Sequence, residues 1–200
     1  MPLITFEGID GCGKSTQILM LKEYFEKQGI KCSVFREPGG TKIGEEIRKI
    51  LLDNADSEMD PKTEFLLFAA SRAQLVSQEI KPRIRDEFVI LDRYVDSSVA
   101  YQGFARGLGK KIVTFINEFA TDLIYPDLTF YIEIDEKIFE ERKKEKKDRI
   151  ESEGIEFIKK VIEGYNQISN SSRFVKIDGR MEQDQLFRVI IEKIKDHFKV

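Results

Sequence analysis

The sequence predicts a three-layer α/β domain: a five-stranded parallel sheet covered by helices on both faces. Three observations lead there. Short β-rich runs alternate with longer amphipathic stretches across the 200 residues, and strands alternating with helices join by right-handed crossovers into a parallel sheet. The clearest run, Phe88-Val89-Ile90-Leu91, is apolar at four successive positions, as a strand covered on both faces is. No repeat, Pro/Ser-rich linker or charged tail divides the chain, so residues 1–200 are expected to form a single domain.

The elements run in order. Leu3-Ile4-Thr5-Phe6 reads as the first buried strand. Residues 15–28 come next as a helix with Ile18, Leu21 and Phe25 on one face, and Gly29 supplies its C-cap. A second short strand covers 32–35 and a helix about 41–52. Pro61, tolerated in a first turn, opens a long helix. It is expected to stop at Ile80, because Lys81 precedes Pro82 and that position disfavours helix. Residues 88–91 form the third strand, ending at Asp92. Helical segments around 97–104 and 110–121 precede strands at 128–134 and 174–177. The last helix carries Leu186, Ile190, Ile194 and Phe198 at four-residue spacing.

Composition bounds the function. Lys and Arg total 33 and Asp and Glu 36, a net charge of −3; this balance argues against a general nucleic-acid coat, which needs a basic excess to neutralise phosphates. No stretch approaches the ~20 apolar residues of a membrane helix, and no secretory signal is expected. Cys12 and Cys32 make no disulfide framework. A reducing cytoplasm is the expected location.

Gly8-Ile9-Asp10-Gly11-Cys12-Gly13-Lys14-Ser15 fits G-x-x-x-x-G-K-[ST], the phosphate-binding P-loop. Its glycines let the backbone curl so that successive N–H groups point inward at phosphate oxygens. The helix after the loop adds its positive end. Lys14 is placed to span the β- and γ-phosphates, and the Ser15 hydroxyl to ligate Mg²⁺. Asp92, at the carboxyl end of a central strand, stands where open α/β sheets bind ligands and where a carboxylate can hold the metal; read alone, it could equally cap the next helix. Arg93 beside it suits two phosphates meeting at one point. No Asn-Lys-x-Asp guanine-reading motif is present, and 200 residues leave little room for a motor ATPase. A small-molecule kinase is favoured.

The chain resembles the bacterial thymidylate kinases over nearly its whole length. Five stretches carry the resemblance in order: 6–16 with the P-loop, Arg36-Glu37-Pro38-Gly39-Gly40-Thr41, Asp92-Arg93-Tyr94 with Ser97, Ser98, Tyr101, Gln102 and Gly103, Pro126-Asp127-Leu128-Thr129, and Asp148-Arg149-Ile150-Glu151. The resemblance implies a P-loop NTPase fold, Mg²⁺-dependent phosphoryl transfer from ATP to dTMP, and a homodimer. It places ATP on Gly8, Ile9, Asp10, Gly11, Cys12, Gly13, Lys14, Ser15, Thr16 and Arg142, and the metal on Ser15 and Asp92.

Residue by residue, it puts Phe68 under the thymine ring and Arg72 on a thymine carbonyl, and these two are i, i+4 on one helix face. Ser98 and Gln102 fall at the base edge, and Tyr101 against the sugar 2′ position. Asp10 accepts from the 3′-hydroxyl. Arg93 bridges the dTMP phosphate and the ATP γ-phosphate, and Arg36, Glu37 and Arg48 line the same site. Arg48 alone reads equally as a solvated helix residue.

The basic run 142–149 matches the family's lid, about 142–153 here, but is short and Lys-rich; as composition alone it is an ordinary solvated helix. Some family members place an arginine in the P-loop where this chain has Gly11. The missing cation is therefore expected from the lid, with Arg149 closing onto ATP together with Arg142 or a lid lysine. Two rivals stay open: a kinase for another nucleotide or a deoxynucleoside, and a regulator that binds ATP without turnover. The second needs no further phosphate site, which Arg72 and Arg93 would supply.

Overall fold

A computed structural model describes residues 2–56, 58–142 and 148–199. Its sheet has five strands, β1 (Leu3–Glu7), β2 (Cys32–Arg36), β3 (Phe88–Asp92), β4 (Leu128–Glu133) and β5 (Phe174–Asp178), in the order β2-β3-β1-β4-β5. Every neighbouring pair is parallel. Central β1 lies with Ile4 opposite both Ile90 and Leu128.

Alternate side chains of a strand point to opposite faces, and the two faces carry separate cores. Ile4, Phe6, Ile90 and Phe130 join the larger one with helices α1 (Lys14–Lys27) and α9 (Gln183–Phe198), while Leu3, Val89 and Leu91 pack with Leu75, Val76 and Ile80 on the other. This is the three-layer fold of the P-loop kinases. From β1 the chain runs to β2 at one edge, returns through β3, and then crosses to β4 on the far side of β1. Such reversals open a crevice at the carboxyl ends of the strands.

Helix α1 ends as expected at Gly29, whose φ of 70° lets its N–H reach Glu26 O while Ile30 N–H reaches Phe25 O. Helix α2 (Lys42–Leu52) is capped by Thr41 Oγ1, which accepts from Gly44 N. Helix α3 (Pro61–Leu75) does not stop before Pro82. It widens into a π segment, Val76–Ile80, and continues as α4 (Lys81–Arg83). In the π segment Lys81 N–H reaches back five residues to Val76 O. The wider turn relieves the crowding that a proline ring imposes on a regular helix, so the expected stop is corrected. A second π segment, Val99–Ala105, continues from α5 (Val95–Ser98).

Beyond α6 (Lys110–Thr121) come two helices that sequence reading did not separate out, α7 (Glu136–Arg142) and α8 (Ile155–Ile168), and then α9. Helix α8 lays Phe157 and Tyr165 against Tyr101 of the second π segment. The approach is close enough that a Cβ at Gly164 would meet Ala100 Cα at 3.0 Å. Of the expected lid, 143–147 lie outside the described residues. Residues 148–153 return as a turn and a short 3-10 helix, with Arg149 and Ile150 buried.

Candidate active site

The loop after β1 wraps around a buried ammonium. Gly8 has φ 136°, and a Cβ there would fall 2.5 Å from Ile132 O, so glycine is required. Lys14 opens α1, is nearly fully buried, and donates to Gly8 O at 2.9 Å and Ile9 O at 3.0 Å. Cys12 is buried within the loop, its Sγ 3.7 Å from the same ammonium. Ser15 Oγ donates to Asp92 Oδ2 at 2.8 Å. Asp92 thus faces the P-loop, and α5 carries no side-chain cap.

A cavity of about 660 Å³ opens beside this loop. Asp10, Gly11, Gly13, Lys14, Ser15 and Thr16 line it from the loop; Arg36, Glu37 and Arg48 from β2 and α2; Phe68 and Arg72 from α3; and Asp92, Arg93, Ser98, Tyr101 and Gln102 from the end of β3 through the second π segment. Gly8, Ile9 and Cys12 lie outside the lining, as do Arg142 and Arg149. Five further residues complete the wall: Pro38, Leu52, Ser97, Asp148 and Ile150. All but Leu52 sit inside stretches that carried the family resemblance, so a signal for them was present; Leu52 had none.

Arg93 stands between the two halves. Its backbone is left-handed, φ 70°, a conformation uncommon outside glycine. Its Nη2 donates to Asp10 Oδ1 of the P-loop at 2.7 Å, and the guanidinium lies over the Tyr101 ring at 5.2 Å. Two more cations face the same cavity. Arg48 is half-buried, with Nη1 donating to Pro38 O at 2.9 Å. Arg36 pairs with Glu45 at 3.0 Å. Burial lowers the Arg48 pKa, and the positive charges of Arg36 and Arg93 lower it further. Like charges gathered in one cleft focus its potential on an anion.

Arg72 is 1% exposed and each of its three guanidinium nitrogens has a protein partner. Nε and Nη2 meet Glu37 Oε2 at 2.7 and 2.5 Å, Nη1 donates to Ser98 Oγ and Asn117 Oδ1, and Nη2 also reaches Tyr94 O. Burial raises the Glu37 carboxyl, opposed by Arg72. The other Glu37 oxygen, Oε1, is buried with no hydrogen-bond partner among the described residues.

The two arginines expected over ATP lie in different settings. Arg142, at the end of α7, is exposed and donates to Gly11 O of the P-loop at 3.4 Å and to Gly179 O at 3.1 Å. A Cβ at Gly11 would come within 3.3 Å of Arg142 Cβ. Arg149 departs from the expectation of an exposed cation closing on ATP. It is 5% exposed, donates from Nε to Leu51 O at 3.0 Å, and pairs with Glu64 at 2.8 Å. Glu64 is itself fully buried and binds Gln102 at 2.9 Å and Arg106 at 2.8 Å. These partners hold the Glu64 carboxyl below its ordinary value although burial opposes them.

Among the described residues no group of three or more His, Cys, Asp or Glu is set to hold a metal ion. The available donors are the Ser15 hydroxyl and the Asp92 carboxylate. Two hard oxygens fit Mg²⁺, which keeps several waters and takes phosphate oxygens for the rest.

Comparison with known proteins gives one answer. The thymidylate kinase family model matches residues 6–190. Proteins named thymidylate kinase are similar to this chain from end to end: 51% identity in a Thermoanaerobacter species, over 97% of both chains, 49% in Thermosipho africanus, over 98% of both, and 46% in Caldanaerobacter subterraneus, over 98% of this chain and 96% of the relative. With a P-loop opening on a cavity lined by arginines and a family match over residues 6–190, the chain belongs to the thymidylate kinase family.

Proposed function

We propose that the protein transfers the γ-phosphoryl group of ATP to dTMP, giving dTDP and ADP, as the name of its relatives describes. The observation that carries this is the position of Arg93: bound to Asp10 of the P-loop on one side, it faces a cavity holding Arg36, Arg48, Phe68 and Arg72 on the other. Two phosphate sites meeting at one guanidinium suit in-line transfer between two nucleotides.

On the donor side, the loop amides and Lys14 take the ATP phosphates, with Arg142 at the loop's outer edge. Ser15 and Asp92 would hold Mg²⁺, which supplies charge neutralisation on the phosphates. On the acceptor side, Arg36, Arg48 and Arg93 take the dTMP phosphate. Phe68 stacks on the base, Ser98, Gln102 and Arg72 read its edge, Tyr101 crowds the 2′ position and Asp10 takes the 3′-hydroxyl. Because every guanidinium nitrogen of Arg72 has a protein partner, Arg72 reads the base by giving up one bond, with Glu37 and Ser98 the two partners that also line the cavity. No general base is needed, since a phosphate monoester is already anionic near neutral pH. Transfer then depends on positioning and charge compensation.

We also propose a homodimer. Helices α3 and α6 pack side by side and expose Leu66 from one and Ile112, Phe115 and Phe119 from the other, with Phe119 84% exposed. Exposed apolar side chains on two packed helices suit a second copy of the chain. A cytoplasmic location accords with the two free cysteines. Among the described residues no helix is long and apolar enough to cross a membrane.

The test is Mg²⁺-dependent ADP release with a panel of nucleoside monophosphates and nucleosides. The reading requires dTMP to be the best acceptor. A better rate with another acceptor would reassign the substrate, and ATP binding without release under any acceptor would favour the regulator.

A further inference from the structure

Glu7 ends β1, stands outside the cavity lining and is fully buried. A charge in that position is costly unless its partners need it. Its carboxyl accepts three hydrogen bonds. Oε1 takes the Tyr94 N–H at 2.8 Å; Oε2 takes the Ser97 hydroxyl at 2.6 Å and the Tyr165 hydroxyl at 2.9 Å. All three donors surround Arg93. Tyr94 is its neighbour in the chain, and Arg93 Nη1 lies 3.3 Å from Ser97 Oγ and 3.4 Å from Tyr165 Oη. A hydroxyl has one proton. When both protons go to Glu7, only lone pairs face the guanidinium, and two neutral hydroxyls become acceptors for it.

The rest of the surroundings agree. Asp10 draws Nη2 toward the P-loop while the Tyr101 ring lies over the guanidinium, and Asp10 by itself is a single polar anchor. The hydroxyl pair on Nη1 is the second anchor that sets the guanidinium plane. Tyr165 is fixed in turn by stacking on Tyr131, with centroids 4.9 Å apart. Asp96, next to Ser97, is held by Arg173 through bonds of 2.6 and 2.7 Å, so Glu7 is the carboxylate that binds the Ser97 and Tyr165 hydroxyls.

We propose that Glu7 and Tyr165 are positioning residues for phosphoryl transfer: through the Ser97 and Tyr165 hydroxyls and the Tyr94 peptide, Glu7 holds the Arg93 guanidinium in the orientation that spans the two phosphates. The proposal rests on the role assigned to Arg93 in dTMP phosphorylation. It gives α8, which contributes no residue to the cavity wall, a part in the chemistry that acts through Arg93.

Tyr165→Phe removes one hydroxyl and keeps the stacked ring. Glu7→Gln keeps the shape but turns an amide donor toward the hydroxyls or the Tyr94 N–H, so an acceptor is lost. The experiment measures kcat, KM for each substrate and melting temperature for both variants, for Arg93→Ala, and for Tyr165→Phe combined with Arg93→Ala. Each of the first two is expected to lower kcat by about 5- to 30-fold with the KM for ATP within about twofold. In the Arg93→Ala background, Tyr165→Phe is expected to cost less than about twofold, because coupled residues are not additive. An unchanged kcat in Tyr165→Phe, or the same loss in both backgrounds while Arg93→Ala is itself impaired, would overturn the positioning role alone. Wild-type turnover in Arg93→Ala would remove the role of Arg93 and this proposal with it.

Discussion

Arg72 and Glu37 form a buried ion pair in the wall of the cavity, Nη2 to Oε2 at 2.5 Å, with both side chains at most 2% exposed. Arg72 is held from α3 and Glu37 from the turn after β2, so the pair joins two elements in the cavity wall. A buried pair of this kind adds little stability over an apolar substitute, but removing one partner strands the other charge.

Arg72→Ala is therefore expected to act twice. Loss of a charge-assisted hydrogen bond worth ~1.5–3 kcal/mol weakens dTMP binding by roughly 10- to 150-fold, and the stranded Glu37 lowers the melting temperature. Calorimetric titration with dTMP and with a non-hydrolysable ATP analogue, alongside a thermal melt, separates the two. Equal losses for both nucleotides would leave Arg72 with the structural role only.

Glu7 leads to a prediction about pH. Burial, reinforced by the Asp96 carboxylate, raises its pKa from 4.5 to about 7, against the lowering effects of Ser97, Arg93 and Tyr165. Between those values the native state binds more protons than the unfolded chain. The stabilising contribution is then full below about 4.5 and is lost as pH rises through about 7. Glu7→Gln removes this dependence. Melting temperatures of the two proteins from pH 5 to 8 should diverge, the variant gaining relative to wild type as pH rises. A constant difference across the range would show that Glu7 titrates as an ordinary carboxylate.

Phe119→Asp tests the apolar face. Placing a charge at an 84%-exposed position costs little in an isolated subunit and much in a shared interface. Light scattering should report a dimer for the wild-type protein and a monomer for the variant, with little change in the far-ultraviolet spectrum. A wild-type monomer would sink the dimer proposal.

How much of the molecule could be read from its sequence depends on how local each cause is. The P-loop is a contiguous cradle, so Gly8 to Ser15 declares itself, and Asp92 and Arg93 stand out at the end of an apolar strand. Phe68 and Arg72 share a helix face by spacing alone. Glu7 was hidden because its partners come from beyond β3, from α5 and from α8. The helix through Pro82 was hidden because a π turn leaves no mark in hydrophobic period. Helix α8 was legible in principle: Phe157, Val161, Tyr165 and Ile168 recur at helical spacing and all are buried. The burial of Arg149 was not legible because a basic run reads as solvated, whereas its environment is set by Glu64, far away in the chain.

That burial separates the two lid-flanking arginines. Arg149 pairs with Glu64, which also holds Gln102 in the cavity wall, while Arg142 is exposed and touches the P-loop through Gly11 O. Arg149→Ala removes one of two arginines from a buried carboxylate that keeps Arg106 and Gln102, so the cost falls below the ~3–5 kcal/mol of a fully stranded charge and amounts to a drop of roughly a few °C in a chain of this size. Its kinetic effect should fall on dTMP through Gln102. Arg142→Ala should leave the melting temperature nearly unchanged. It should lower kcat by at least ~10-fold, or ~1.4 kcal/mol, because it removes the arginine at the outer edge of the P-loop, where the loop itself carries Gly11. Melting curves and steady-state kinetics on both variants distinguish the roles. Should Arg149→Ala keep its melting temperature while losing turnover, Arg149 would return as the cation that closes on ATP and Arg142 would lose that part.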